Sequence, residues 1–264
     1  MRKYRVLLTL LITAIACVIL VSCSSGSPKG DSKKAMEAYY QYIVDGNFES
    51  AYEKLAEEVK NNVSKEDFIL LNSLRRECYP LKGFKVEKID NTSTVKDSVE
   101  FNVVQTINNA RENKETNETY KRKVVASNNE WKVYQEIDLK QEIPDLYNYI
   151  GWMYLEGKGK DKNLNEAAST FNQAIKYNPD YARPYYGLAV VYQQQGRYDE
   201  SINNANNFMD KTKSDQEKSA AYNVLGLGYW EKGQLKDAKD SFLRALEFDN
   251  SNEYAKNNLA NLNK

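Results

Sequence analysis

The chain has 264 residues and no histidine, which removes both the commonest general base and the commonest transition-metal ligand. Three cysteines remain as candidate nucleophiles, and none has an imidazole to draw off its proton. Asp161, Asn163 and Asn165 have the spacing of the first three ligands of a calcium loop. Glu166, however, stands at the glycine position and Asn172 at that of the bidentate glutamate, so the segment reads as a polar turn. In the first half of the chain, Tyr39, Tyr42, Tyr120, Arg122 and Glu136 are the polar residues available to line a pocket. None makes a recognisable nucleophile–base pair, and no Gly-rich phosphate loop or metal-ligand cluster is present. No catalytic residue, cofactor or metal is therefore expected, and the chain is expected not to be an enzyme. Basic and acidic residues balance at 37 each, so no positive field invites nucleic acid.

The N-terminus carries an address. Arg2, Lys3 and Arg5 precede an apolar run of 16 residues at 6–21, followed by Ser22 and Cys23. Positive, apolar and small-residue regions in that order read as a secretory signal, and the run is short for a membrane span of about 20 residues. Leu20-Val21-Ser22-Cys23 resembles the bacterial lipobox, which implies cleavage before Cys23 and lipidation (palmitate among the acyl chains) of that cysteine. Residues 1–22 would then be the signal peptide and 23–32 a Ser/Gly/Pro tether. The mature chain would hold 34 basic and 37 acidic residues. The compartment would be the extracytoplasmic face of the cell membrane, within the cell envelope. Cys17 leaves with the signal, so Cys78 has no disulfide partner and is expected to be buried.

Three copies of one plan fill the second half. Residues 219–252 place Tyr222, Leu225, Gly226 and Tyr229 on one helical face, then Ala238, Phe242 and Ala245 on a second helix after a Gly233 turn. Tyr185, Leu188, Ala189 and Tyr192 repeat the first stripe, with Ser201, Ala205 and Phe208 after the Gly196 turn. Tyr147, Ile150, Gly151 and Tyr154 form an earlier copy, with Ala167, Phe171 and Ala174. This pattern resembles the tetratricopeptide repeat of about 34 residues, in which a tiny residue after the leucine lets two helices pack closely. Ser201 and Ala205 depart from it, since alanine and a large aromatic are usual there. The first copy is widened by EGKGKDKNL. The resemblance implies an all-α solenoid over residues 144–264: repeats at about 144–181, 182–218 and 219–252, and a closing helix at 253–264. It also implies binding of protein partners.

Residues 33–140 read differently. Helical faces run through Tyr39, Tyr42 and Ile43, through Phe48–Val59, and through Phe68, Leu71 and Leu74, with Ser64 placed as an N-cap and Pro80 as a stop. Alternation then takes over at Phe84–Val86, Val99–Phe101–Val103, Tyr120–Arg122–Val124 and Trp131–Val133, with a turn at Asn128-Asn129. Three helices followed by about four strands predict an α+β domain with a curved antiparallel sheet. The YYQYIVDGNFESAYEKLAEEV, SKEDFILL and NNEWKVYQ segments resemble lipoprotein-type domains of the nuclear-transport-factor-2-like superfamily. In that superfamily the space between sheet and helices can be an enzyme pocket, a ligand pocket or plain core.

Read together, these features predict a membrane-anchored scaffold that binds a protein or peptide partner of the cell envelope. The alternative is small-molecule binding, or hydrolysis, in the N-terminal pocket. The partner groove is expected on the face opposite each first helix's packing stripe. Its rows are Asn148, Trp152 and Leu155; Tyr186, Val190 and Gln193; and Asn223, Leu227 and Trp230. Trp152 and Trp230 would be anchors, and Asn148 and Asn223 would hold a peptide main chain.

Overall fold

The computed structural model describes residues 28–89 and 97–262; the signal segment and Cys23 lie outside them. Among the described residues no helix is long and apolar enough to cross a membrane. Asp31 opens α1 (Ser32–Asp45), its carboxylate accepting from the Lys33 and Lys34 amides at 2.7 and 3.1 Å. Just before it, the Lys29 amide donates to the Asn129 carbonyl at 2.7 Å. The end of the segment expected to be a tether is thus tied to the sheet.

The stretch expected as one helix over residues 48–59 is two, α2 (Phe48–Glu53) and α3 (Glu57–Lys60). Between them the Val133 amide donates to the Lys54 carbonyl at 2.8 Å, and the Ala56 amide donates to the Val133 carbonyl at 2.9 Å. These bonds to an edge strand take backbone groups that a continuous helix would need for itself. Tertiary pairing overrides the local helical period here. Helix α4 (Lys65–Cys78) starts at Ser64, whose hydroxyl accepts from the Asp67 amide at 3.0 Å and donates to the Asp67 carboxylate at 2.7 Å.

Strands β1 (Leu81–Lys88), β2 (Ser98–Asn109), β3 (Lys114–Ser127) and β4 (Glu130–Tyr134) form one antiparallel sheet in that order. Asn128 and Asn129 connect β3 to β4 with φ of 51° and 63°, the double left-handed conformation that matches strand twist in a two-residue hairpin. Phe101 and Val103 on β2, Val124 on β3 and Val133 on β4 share the face that packs on Met36, Tyr39 and Phe68. Period two on the strands and period 3.6 on the helices meet in this core.

The second half pairs α5 (Leu139–Glu156) with α6 (Leu164–Tyr177), α7 (Arg183–Gln194) with α8 (Tyr198–Lys211), and α9 (Asp215–Glu231) with α10 (Leu235–Phe248). Helix α11 (Glu253–Leu262) follows. Gly151 and Gly187 both lie against the buried Phe171 ring and Gly226 lies against Phe242, so a Cβ at any of them would overlap the ring. Where the second repeat departs from the pattern, the packing accounts for it. Ala205 replaces the aromatic ring, and Ala189 stands where the other two copies have glycine; both are fully buried in one cluster. The buried Ser201 hydroxyl donates to the Ala189 carbonyl at 2.8 Å, and Phe208 is buried against Tyr186 with centroids 5.2 Å apart.

Helix α5 begins at Leu139, so residues 141–144, between the two expected domains, are helical, with Pro144 inside the helix. Leu71, Leu74 and Cys78 of α4 form one buried cluster with Ile143, Leu146, Ile150 and Met153 of α5. Around this cluster Arg75 pairs with Glu142, Arg111 with Glu156, and Lys160 with Glu77. Burial pushes the Cys78 thiol above its ordinary range, and the thiol donates to the Leu146 carbonyl at 3.7 Å. The EGKGKDKNL insertion belongs to the same junction, since Gly159 sits against the Ala110 carbonyl. Its Asn163 is the N-cap of α6, accepting from the Asn165 and Glu166 amides at 3.0 and 3.1 Å. A helix cap thus accounts for the calcium-like spacing.

Candidate functional site

Two concavities are built by different parts of the chain. The first lies on the solenoid, where α7, α9 and the start of α11 stand side by side around about 370 Å³. Tyr186, Val190 and Gln193 come from α7, and Asn223 and Leu227 from α9. Spacing of i, i+4, i+7 keeps each set on one helix face, and stacking of repeats sets the two rows side by side. Five of the nine residues expected to form a groove therefore line one concavity. Asn252 and Tyr254, which spacing within the repeats did not reveal, close it from the C-terminal side. Tyr254 is 78% exposed, a large ring left to solvent beside an apolar floor. The signal for it was an aromatic in the closing helix, on the turn before the apolar Leu259 and Ala260.

The other four are placed differently. Leu155 is buried in a cluster with Phe171, Leu188 and Val191, so it packs one repeat on the next. Asn148 is 9% exposed, and its Oδ1 has no hydrogen-bond partner among the described residues. It is too deep to meet a peptide main chain. In the first row, then, stacking of α7 on α5 buries what a free helix would expose. Trp152 is half-buried, 6.0 Å from the Tyr186 ring and 5.8 Å from Phe171, and so props the groove's edge from behind Tyr186. Trp230 packs edge-on to Phe242 at 6.3 Å and does not line the concavity. Asn223 Oδ1 accepts from Asn258 Nδ2 at 2.9 Å, which ties α9 to α11. No charged side chain among the described residues lines this concavity, and burial raises the Tyr186 hydroxyl pKa, keeping it a donor at neutral pH.

The second concavity is larger, about 1010 Å³, between α1 and α4 on one side and β2 and β3 on the other. Tyr39, Tyr120, Arg122 and Glu136 line it, as expected for a pocket; Tyr42 does not, and packs on the core instead. Phe48, Phe84, Phe101 and Trp131 all belong to or pack on the core cluster, and space remains beside them. At the floor Gln135 Nε2 donates to the Tyr39 hydroxyl at 2.7 Å. Gln105 Nε2 and Arg122 Nε donate to the Tyr40 hydroxyl at 3.1 and 3.3 Å. Burial raises the pKa of both tyrosines. The Tyr120 phenol is pushed up to about 12 by burial and by its hydrogen bond to Glu118.

Comparison with known proteins bears on the solenoid alone. Residues 161–196 match a family described as TPR repeat, and residues 180–251 one described as tetratricopeptide repeat. Small glutamine-rich tetratricopeptide repeat-containing protein 2 of Mycosarcoma maydis is 28% identical over 99 residues, 38% of this chain. The match spans only 27% of that relative's length. Among solved structures, the Arabidopsis OM64 TPR domain is 23% identical, with a TM-score of 0.42 over 47% of this chain and 96% of that one. The first TPR of Spaghetti (RPAP3), bound to an HSP90 peptide, is 18% identical, with a TM-score of 0.41 over 46% and 90%. The C-terminal region of this chain is thus an all-α array of tetratricopeptide repeats, set behind an α+β N-terminal part.

Proposed function

We propose that this chain is a non-catalytic protein-interaction scaffold, held on the extracytoplasmic face of the cell membrane by lipid on Cys23. The observation that carries the binding function is the uncharged concavity across α7, α9 and α11, with Tyr254 exposed at its lip. Its chemistry suits an extended peptide segment offering an aliphatic or aromatic side chain to Tyr186, Val190 and Leu227. The amide of Gln193 would meet the main chain. With no lysine or arginine in its lining among the described residues, the groove offers no cation to pair with an acidic tail or a terminal carboxylate. The lipobox at residues 20–23 and the preceding apolar run support the anchor. The α+β domain, which resembles the nuclear-transport-factor-2-like superfamily, would hold the repeats away from the bilayer.

The test is recovery of crosslinked partners from membranes with the full chain and with Tyr254→Ala. Truncating a ring at a binding hot spot removes about 2 kcal/mol, or roughly 30-fold in affinity. The partner should be lost while the melting temperature stays put, because Tyr254 is exposed. Equal recovery from both proteins would remove the groove from the proposal. Intact mass of the native protein beside Cys23→Ala tests the anchor. Acyl mass on a chain starting at residue 23, absent from the variant, is the expected result. An uncut, unacylated chain would refute lipidation.

A further inference from the structure

The cavity of the N-terminal domain is lined by five basic and four acidic side chains and by several hydrogen-bond donors. Tyr39 and Tyr40 are 2% and 4% exposed, and their hydroxyls accept from Gln135, Gln105 and Arg122. Neither hydroxyl donates to any acceptor among the described residues, so both protons remain to be used. Burial keeps both phenols protonated. Beside them Arg122 is half-buried over the Tyr120 ring at 4.7 Å and has no carboxylate within ion-pair distance among the described residues. Arg76, Lys82 and Lys114 on the cavity wall are likewise without a carboxylate. Of the four lining glutamates, Glu142 is taken by Arg75 and Glu118 by the Tyr120 hydroxyl. An oxyanion in the cavity would accept from several of these donors at once. Ile43, Ile107 and the ring of Tyr79 supply apolar wall toward the mouth.

We propose that this cavity binds a small organic oxyanion, a carboxylate or phosphate on a flat apolar body, with Arg122, Tyr39 and Tyr40 as the anion's donors. A volume of about 1010 Å³ is ample for such a ligand. The site shares no lining residue with the peptide groove.

Calorimetric titration of the full chain in non-ionic detergent tests it, with benzoate and phenyl phosphate as probes and benzylamine and benzyl alcohol as cationic and neutral counterparts. At least one anion should bind saturably at one site per chain, and the two counterparts should not. Arg122→Gln should weaken the anion by about tenfold or more, the value of a charge-assisted hydrogen bond. Arg244→Gln, on the exposed side of α10, should change nothing. Benzoate alone binding assigns a carboxylate, phenyl phosphate alone a phosphate, and both together a site that reads oxyanion charge. If Arg122→Gln does not fold, Arg122→Lys, which keeps the charge but removes the donor fork, takes its place. The inference is overturned if neither anion binds saturably, or if benzylamine or benzyl alcohol binds as well as they do. Unchanged affinity in the folded arginine variant would overturn it too.

Discussion

At the residue scale, side-chain size is matched across each helix pair. Gly151 faces Phe171 and Gly226 faces Phe242, whereas Ala189 shares its cluster with Ala205. The small residue after the leucine is therefore set by the ring opposite, and a methyl group is admitted only where the ring is missing. Gly226→Ala tests this. Helix propensity alone favours the change by about 1 kcal/mol. Overpacking against a fully buried ring opposes it by about 1–3 kcal/mol, and Phe242 has no free side to retreat to. The variant should lose up to about 2 kcal/mol in denaturant unfolding. A gain in stability would show that the helices separate without penalty. The same scale explains why Asn148 and Leu155 could not be placed from spacing: their positions equal those of groove residues, and only the neighbouring helix decides their exposure.

At the element scale, turns and caps were readable because their chemistry is local. Ser64 caps α4 and the Asn128-Asn129 pair makes the β3–β4 hairpin, as expected, whereas Asn163, read only as part of a polar turn, caps α6. Asn128→Val forces a β-branched residue to φ 51°, at a cost of about 1–2 kcal/mol. Asn128→Gly keeps that conformation open and should melt at the same temperature as the parent or higher. Equal losses from both would mean that the asparagine side chain, rather than backbone conformation, holds the turn. The break between α2 and α3 was not readable, since Lys54 and Ala56 are bound by Val133, 77 or more residues away in sequence.

At the scale of the whole molecule, the two parts share a buried cluster between α4 and α5, ringed by ion pairs. Glu156 is the informative one. Burial raises its pKa, but the hydrogen bonds and charges of Arg111 and Lys158 outweigh that and hold the carboxyl below its ordinary value. A depressed folded pKa stabilises the protein above the unfolded value and ceases to do so as pH falls through the folded one. Glu156→Gln should therefore melt lower than the parent at pH 7, by at most about 1 kcal/mol for a partly exposed pair. The difference should close as the pH drops below about 4, where carboxylates protonate. A difference that persists at pH 3 would assign the loss to packing rather than charge.

The sequence by itself determined the elements whose signals are local: the repeat stripes, the tiny residues at close approaches, the alternating strands and the caps. It also put on common helix faces five residues that line one concavity of the solenoid, because periodicity assigns a helix face without knowledge of what lies beyond it. Tertiary structure decided what each face meets. It buried Asn148, packed Leu155 on α7, turned Trp230 onto Phe242, brought Tyr254 to the lip and divided the second helix at β4. It also left open the space beside Tyr39 and Tyr40, although aromatic side chains were available to fill it. The physical reason is common to all of these. Exposure and cavity shape are properties of pairs of elements far apart in the chain, and periodicity describes one element at a time.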